Sequence, residues 1–431
     1  MADTDAWEGP LAGVRVLDFT RVLAGPAASL ALADLGAEVI KIEAIQGGDD
    51  TRSFPPHRAG ESHYFIAVNR GKQSLAIDLK TAQGAEIVRS LVAESDILIE
   101  NFRPGVMARL GLGYEALAEI NPRLIYCAIS GFGMSGPLRD RPSFDIVMQA
   151  FSGAMSVNGS RHGEPVKLGL PMGDLVGGIN GPIAILAALY DRERSGCGLL
   201  IDISLHDGML NLLGYLAQYS FFTEDDPEPQ GNEHLNLVPY GAFPARDGSI
   251  VIACLTNQFW SKICEALQLR NLLEDPSLST LEGRRLHRDR VHSVIADATR
   301  AWSKAELADH LLAYGVPHAP ILTVSEALSH PHTAARNMVA KVEHSTLGEI
   351  PVVNRPFRFP TKAMRAVEAP PVLGQHSVSV LKDHLNLSDE DIVQLHHSGV
   401  VYAAGFSGFG SAASDAVTRA DTLEANDGER P

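Results

Sequence analysis

The chain has 431 residues, too many for one ordinary hydrophobic core, so two or more domains are expected. At 45% hydrophobic and 20% charged it has a soluble globular composition, and no run of about 18 apolar residues marks a membrane span. The formal net charge of −16 excludes a general nucleic-acid binder, whose footprint is a basic face, but not a protein that holds an anionic small molecule with local basic groups. The N-terminus, MADTDAWEGPLAG, is acidic and has no apolar signal core, so a cytoplasmic chain is expected. Cys127, Cys197, Cys254 and Cys264 are widely spaced, which predicts free thiols. No histidines stand at the i, i+4 spacing of a helical zinc motif, so no metal site is expected.

Strand and helix signals alternate through the first 205 residues. GVRVLDF (13–19) predicts a buried strand, and PAASLALADLG (26–36) a helix opened by proline and closed by glycine. AEVIKIE (37–43) and QSLAIDL (73–79) predict the next strands. Helix TAQGAEIVRSLVAES, strand DILIEN and strand RLIYCAIS (123–130) follow. A helix after Asp174 leads to strand LLIDISL (199–205). Strands spaced by helices imply a doubly wound parallel sheet. From about 231 the pattern changes. YGAFPARDGSIVIACL predicts a hairpin, and polar helices follow between about 257 and 313, as in a smaller α+β domain. The Gly/Ala/Ser-rich and then acidic tail, 401–431, predicts disorder.

Three stretches carry chemistry. The loop after the first strand holds only Gly25, so the G-x-G-x-x-G dinucleotide fingerprint is missing; P-loop and G-x-S-x-G patterns are missing too. In ENFRPGVMARLGLGYEAL, Asn101, Arg103 and Arg109 cluster after a strand, where ligands of open α/β sheets bind. Arginine suits phosphate and Phe102 suits a base, although a solvated turn reads the same way. Arg70, Lys72 and Lys80 read more simply as surface cations. In GLPMGDLVGG, Asp174 is either a helix N-cap or a nucleophile. Flanking glycines leave room for a large reactant, a helix N-terminus favours the anion, and a carboxylate attacking an activated acyl group forms an anhydride.

Seven ordered blocks, VLDFTRVLAGP, LGAEVIKIE, NRGKQSLAIDLK, ENFRPGVMARLGLGYEAL, NPRLIYCAISGFG, GLPMGDLVGG and LIDISLHDGML, resemble the class III coenzyme A transferases, a group that includes formyl-CoA:oxalate transferases and 2-methylacyl-CoA racemases. The resemblance implies a Rossmann-like doubly wound large domain, a small α+β domain inserted into it, and an interlocked homodimer. The expected division is 1–215 and 325–400 for the large domain, 216–324 for the small one and 401–431 for the tail. It implies acyl-CoA and carboxylic acid substrates, no resident cofactor, and no nucleic-acid or membrane partner.

The family's nucleophilic aspartate falls on Asp174, with backbone N–H groups near the glycines as oxyanion donors. Implied CoA contacts fall on Val22, Leu23 and Ala24, on Ile77, Asp78, Leu79 and Lys80, and on Asn101, Phe102, Arg103 and Arg109. A basic family position falls on Ala44, and an active-site lysine falls on Pro142, with Arg141 as its neighbouring substitute. The racemase branch's proton-transferring histidine falls on Phe144, which joins the expected CoA-contacting set, and its assisting glutamate falls on Thr256. Both departures favour transfer over racemisation. No run of glycines closes the site at GNEHLNLVPYGAF, which points to a small dicarboxylate acceptor. Arg161, His162 or Lys167 could hold its distal carboxylate, or else form a merely polar loop.

Overall fold

The computed structural model describes residues 7–406 of a mixed α/β chain. Six parallel strands form the centre of the first of two compact units: β1 (Arg15–Asp18), β2 (Glu38–Glu43), β3 (Gln73–Ile77), β4 (Ile97–Glu100), β5 (Ile125–Ser130) and β6 (Leu200–Ser204). Their spatial order is 3-2-1-4-5-6, and Val401–Tyr402 adds a seventh, antiparallel strand beside β3. Central strands such as ILIE and IYCAIS read as continuous apolar runs because both faces are covered. Val16 sits between Val39 and Ile97 in register, so β1 and β4 are neighbours although two strands separate them in sequence. A reversal of strand order of this kind opens a crevice outside the carboxyl ends of the strands.

The helices that build the site are α1 (Ala24–Asp34), α2 (Ala82–Ala93), α3 (Val106–Arg109), α4 (Asp145–Phe151) and α5 (Met172–Ser195). Helix α1 starts two residues before the expected proline, so Pro26 is its third residue. Helix α2 is capped by Thr81, whose hydroxyl accepts the Gly84 N–H at 3.0 Å. A Cβ at Gly84 would stand 2.1 Å from the Asp78 carbonyl, so only glycine fits there. By length and composition α5 is apolar enough to cross a membrane. In the first unit it instead carries Arg192, buried and paired with Asp96 at 2.8 Å.

The second unit contains the expected hairpin, β7 (Tyr240–Ala245) and β8 (Gly248–Ala253), extended by β9 (His318–Pro320) into a three-stranded antiparallel sheet. Helices Asn257–Ala266 and Arg288–Thr299 bring Trp260, Ile263, Val291 and Ile295 onto Phe243, Ile250 and Ile252. The units divide differently from the expected boundaries. The second takes 143–173 and 206–339; the first takes the described parts of 1–142, 174–205 and 340–431. The cause is tertiary: the Gly231 N–H donates to the Gly159 carbonyl at 2.8 Å, and Arg161 pairs with Asp289 at 3.2 Å. The expected tail also starts too early, because Val401 and Tyr402 pair with Ile77 and Ala76. Residues 407–431 lie outside the described chain.

Candidate functional site

Beneath the carboxyl ends of β1 and β2 lies a buried ionic cluster. Lys72 Nζ meets Asp18 Oδ2 at 3.0 Å, and Lys41 Nζ meets Asp49 Oδ2 at 3.0 Å; all four side chains are withdrawn from solvent. Burial opposes ionisation of Asp18, but Lys72 and Lys41, together with hydrogen bonds from Ser29 and Thr20, outweigh it and hold the carboxyl down to about 2. Burial pulls the Lys72 ammonium down to about 8, with Asp18 working against that fall. Lys72 also donates to the Pro26 carbonyl, Ser29 Oγ and Asn69 Oδ1, and Lys41 donates to the Thr20 carbonyl at 2.7 Å. Neither lysine is a surface cation. Arg70 is buried as well, against Asp34 at 2.6 Å, and of the three basic residues of that stretch Lys80 alone is exposed. Sequence reasoning missed Lys41, although a lysine inside the apolar run EVIKIE is a visible signal of a buried partner.

The cluster fixes the loop that follows β1. Asp49 Oδ1 accepts the Val22 N–H at 3.2 Å, and Val22 has φ 64°, a left-handed conformation that a β-branched residue adopts only under constraint. Asn101 supplies the rest of that constraint: its Oδ1 accepts the Arg21 N–H and its Nδ2 donates to the Arg21 carbonyl, both at 2.8 Å. Asn101 therefore spends its amide on the loop backbone. Gly25 has a packing task too, since a Cβ there would stand 2.3 Å from the Thr20 side chain.

Above this loop the Arg21 guanidinium lies 5.3 Å from the centre of the half-buried Phe102 ring. Arg103, on the turn into α3, and Arg109, its last residue, are exposed, and Arg109 reaches back toward Gly105. Glu100, at the end of β4, accepts the Phe102 N–H at 2.7 Å. Burial raises its carboxyl to about 7, against the opposing Phe102 N–H and Tyr126 hydroxyl. At the end of β3, Ile77 is buried, Leu79 packs on the core, Asp78 Oδ1 accepts the Lys80 N–H, and Lys80 is exposed. Parallel strands bring these segments to one edge of the sheet. Val22 is half-buried, and Leu23 and Ala24 are buried at the start of α1.

Helix α5 is tied to that edge by missing side chains. A Cβ at Gly177 would meet Leu205 Cδ2 at 2.5 Å and Ile129 Cγ2 at 3.1 Å; one at Gly178 would meet Ala27 Cβ at 2.7 Å; one at Gly181 would meet Ala28 Cβ at 3.3 Å. The same points lie 3.5 Å from Ala24 Cβ (Gly177) and from the Ala24 carbonyl (Gly178). The glycines after Asp174 thus let α5 press on α1, rather than leaving room for a reactant as expected from the sequence. Asp174, one turn before Gly178, is half-buried and stands third in α5, not at the N-cap. The first turn of a helix favours an anionic side chain. The preceding N–H, on Gly173, is taken at 2.8 Å by Asp145 Oδ1, which removes it from the expected oxyanion donors.

The remaining predicted residues are dispersed. The Arg141 guanidinium lies 5.9 Å from the Phe132 ring centre. Phe144 is 70% exposed and occupies the N-cap position of α4. Thr256 caps helix Asn257–Ala266 through the Phe259 N–H, an ordinary structural task. Arg161, His162 and Lys167 are all exposed, with Arg161 paired to Asp289 and His162 at φ 59°.

Comparison with known proteins then places the chain among its relatives. A family model described as CoA-transferase family III matches residues 11–377. The chain is 37% identical over 393 residues to human succinyl-CoA:glutarate CoA-transferase, covering 91% of this chain and 90% of that one. It is 41% identical over 335 residues to the acetyl-CoA:oxalate CoA-transferase of Acetobacter aceti, covering 78% and 86%. Among solved structures, a CAIB/BAIF family protein from Brucella suis superposes with a TM-score of 0.79 at 36% identity, covering 87% of this chain and 99% of that one.

Proposed function

The chain belongs to CoA-transferase family III and is a transferase, and from that premise we propose that it moves coenzyme A from a short acyl-CoA to a small dicarboxylate through Asp174. The observation that carries this reading is the close crossing of α1 and α5, in which Gly177 and Gly178, one turn after Asp174, pack on Ala24 and Ala27 at the start of α1. The 3-2-1-4-5-6 strand order supports a Rossmann-like large domain with CoA lying across the switch between β1 and β4. Arg21, Arg103, Arg109 and Lys80 supply cations along that edge for its phosphates.

In the proposed sequence the Asp174 carboxylate attacks the thioester carbonyl. The C–S bond breaks, and CoA leaves as a thiolate while a mixed anhydride forms. The thiolate attacks the aspartyl carbonyl, which releases the donor acid and leaves an aspartyl-CoA thioester. The acceptor carboxylate attacks that thioester and forms a second mixed anhydride, and the thiolate then takes the acceptor acyl group, restoring Asp174. Each activated bond passes its energy to the next, so no nucleotide is consumed. The acceptors named for the two relatives, glutarate and oxalate, are both dicarboxylates, which supports that acceptor class. Racemisation is disfavoured, because Phe144 cannot carry a proton and Thr256 is engaged as a cap.

The proposed enzyme is a homodimer, interlocked as the family resemblance implies. Supporting it is a stripe on α5, Ile179, Ile183, Leu186 and Tyr190, apolar and exposed at helical spacing.

The test is a matrix of succinyl-, acetyl- and formyl-CoA against carboxylic acids, with Asp174→Ala beside the native enzyme. Transfer to a dicarboxylate is expected, with hydroxylamine trapping Asp174 in the presence of acyl-CoA. Full activity of Asp174→Ala would sink the mechanism. Deuterium entry at the α-carbon without an acceptor acid would favour the racemase instead.

A further inference from the structure

The start of helix α5 follows a proline. The residue before it is Pro171, which carries no side-chain acceptor. The first N–H groups of a helix have no partner inside it, and an unpartnered one in a buried turn lets that turn fray. Gly173, the second residue of α5, is buried, so its N–H needs an acceptor from elsewhere.

That acceptor is Asp145, at the start of α4. Its Oδ1 takes the Gly173 N–H at 2.8 Å. Asp145 is itself held in place. Gln149, one turn later on α4 and fully buried, donates Nε2 to Oδ1 at 3.0 Å and to Oδ2 at 2.8 Å. The Gln149 Oε1 accepts the Leu168 N–H at 2.7 Å, so the amide cannot flip without breaking all three bonds. Gly173 packs on the same residue: a Cβ there would stand 2.5 Å from the Asp145 carbonyl oxygen and 2.9 Å from Oδ1. A carboxylate, a buried amide and two backbone N–H groups therefore close one hydrogen-bonded unit around the residue that precedes Asp174.

We propose that Asp145, oriented by Gln149, is a positioning residue for transfer: it caps α5 from outside and holds its first turn, and hence Asp174, in the attacking position. The inference rests on Asp174 being the nucleophile. Asp145 touches no substrate in this role. It follows the position where the racemase branch has its histidine, and its task here is to set geometry. A nucleophile misplaced by about 1 Å costs on the order of 10²-fold in rate, whereas remote acyl-CoA contacts are untouched.

The experiment measures kcat and KM for acyl-CoA in four variants, with melting temperature and circular dichroism for folding. Asp145→Ala should lower kcat by about 10²-fold and leave KM within about threefold. Asp145→Asn keeps an acceptor for the Gly173 N–H but sets its Nδ2 against Gln149 Nε2 where Oδ2 accepted a bond, so it should recover part of that loss. Gly173→Ala drives a methyl into Asp145 and should match Asp145→Ala, and the double variant should be no worse than either single one. Equal losses in Asp145→Ala and Asp145→Asn, or a change confined to KM, would overturn the proposal. So would additive losses in the double variant. Asp174→Ala runs in parallel. If it retains transfer, the mechanism fails and the inference with it; if it is inactive while Asp145→Ala transfers normally, the inference alone fails.

Discussion

Glu100 is where pH should act on this fold. Its carboxyl sits near 7 against an ordinary value of 4.5, chiefly because it is buried, with the Phe102 N–H and Tyr126 hydroxyl offsetting part of the rise. The folded chain therefore holds a proton that the unfolded chain releases between those two values. This contribution is full below pH 4.5, falls as pH rises toward about 7, and is lost above it. Glu100→Gln keeps an acceptor for Phe102 and removes the titration. Relative to the native chain it should gain about 2–3 kcal/mol between pH 5 and pH 8, read from urea unfolding, at about 1.4 kcal/mol per unit. A constant difference across that range would refute the assignment. The sequence marked Asn101, Phe102, Arg103 and Arg109 as one cluster; the first three share the turn after β4, and Arg109 closes the short helix that follows it. It could not separate Lys72 from Lys80, because local spacing carries no depth: one ends under β1 and the other in solvent.

At the scale of elements, the crossing of α1 and α5 is the contact on which the candidate site depends. Gly178→Val should fail to pack, since even a Cβ would lie 2.7 Å from Ala27 Cβ. A cost of about 1–3 kcal/mol is expected, with a larger loss of transfer than of folding. Ala27→Gly opens the facing position and should recover part of both. A melting curve and an activity assay on the three variants decide it; no rescue would mean that the clash lies elsewhere. The alternation of β1 to β6 with their helices was legible because the strands are short apolar runs and a local signal such as the Thr81 cap marks the start of α2. The start of α5 was not. Asp174 resembled a cap, but the capping carboxylate stands 28 residues upstream, beyond any local signal.

For the whole molecule, the apolar stripe on α5 needs a cover. Light scattering after gel filtration should give about twice the chain mass of 46.3 kDa. Ile183, 62% exposed, should tolerate glutamate as a folded monomer, and Ile183→Glu should lower both the mass and the activity. A native mass near that of one chain would refute the assembly. Two compact units were foreseeable from length and from the change of pattern near 231. That 143–173 joins the second unit was not, because the bonds responsible, Gly231 to Gly159 and Arg161 to Asp289, link segments far apart in sequence.

The amide of Asn101 grips Arg21 by its peptide groups and ignores its side chain. The contour of the loop is thus inherited from another strand, while its chemical surface is left editable. A replacement at Arg21 therefore leaves the backbone contour beneath it in place, because neither bond that holds the loop uses the guanidinium.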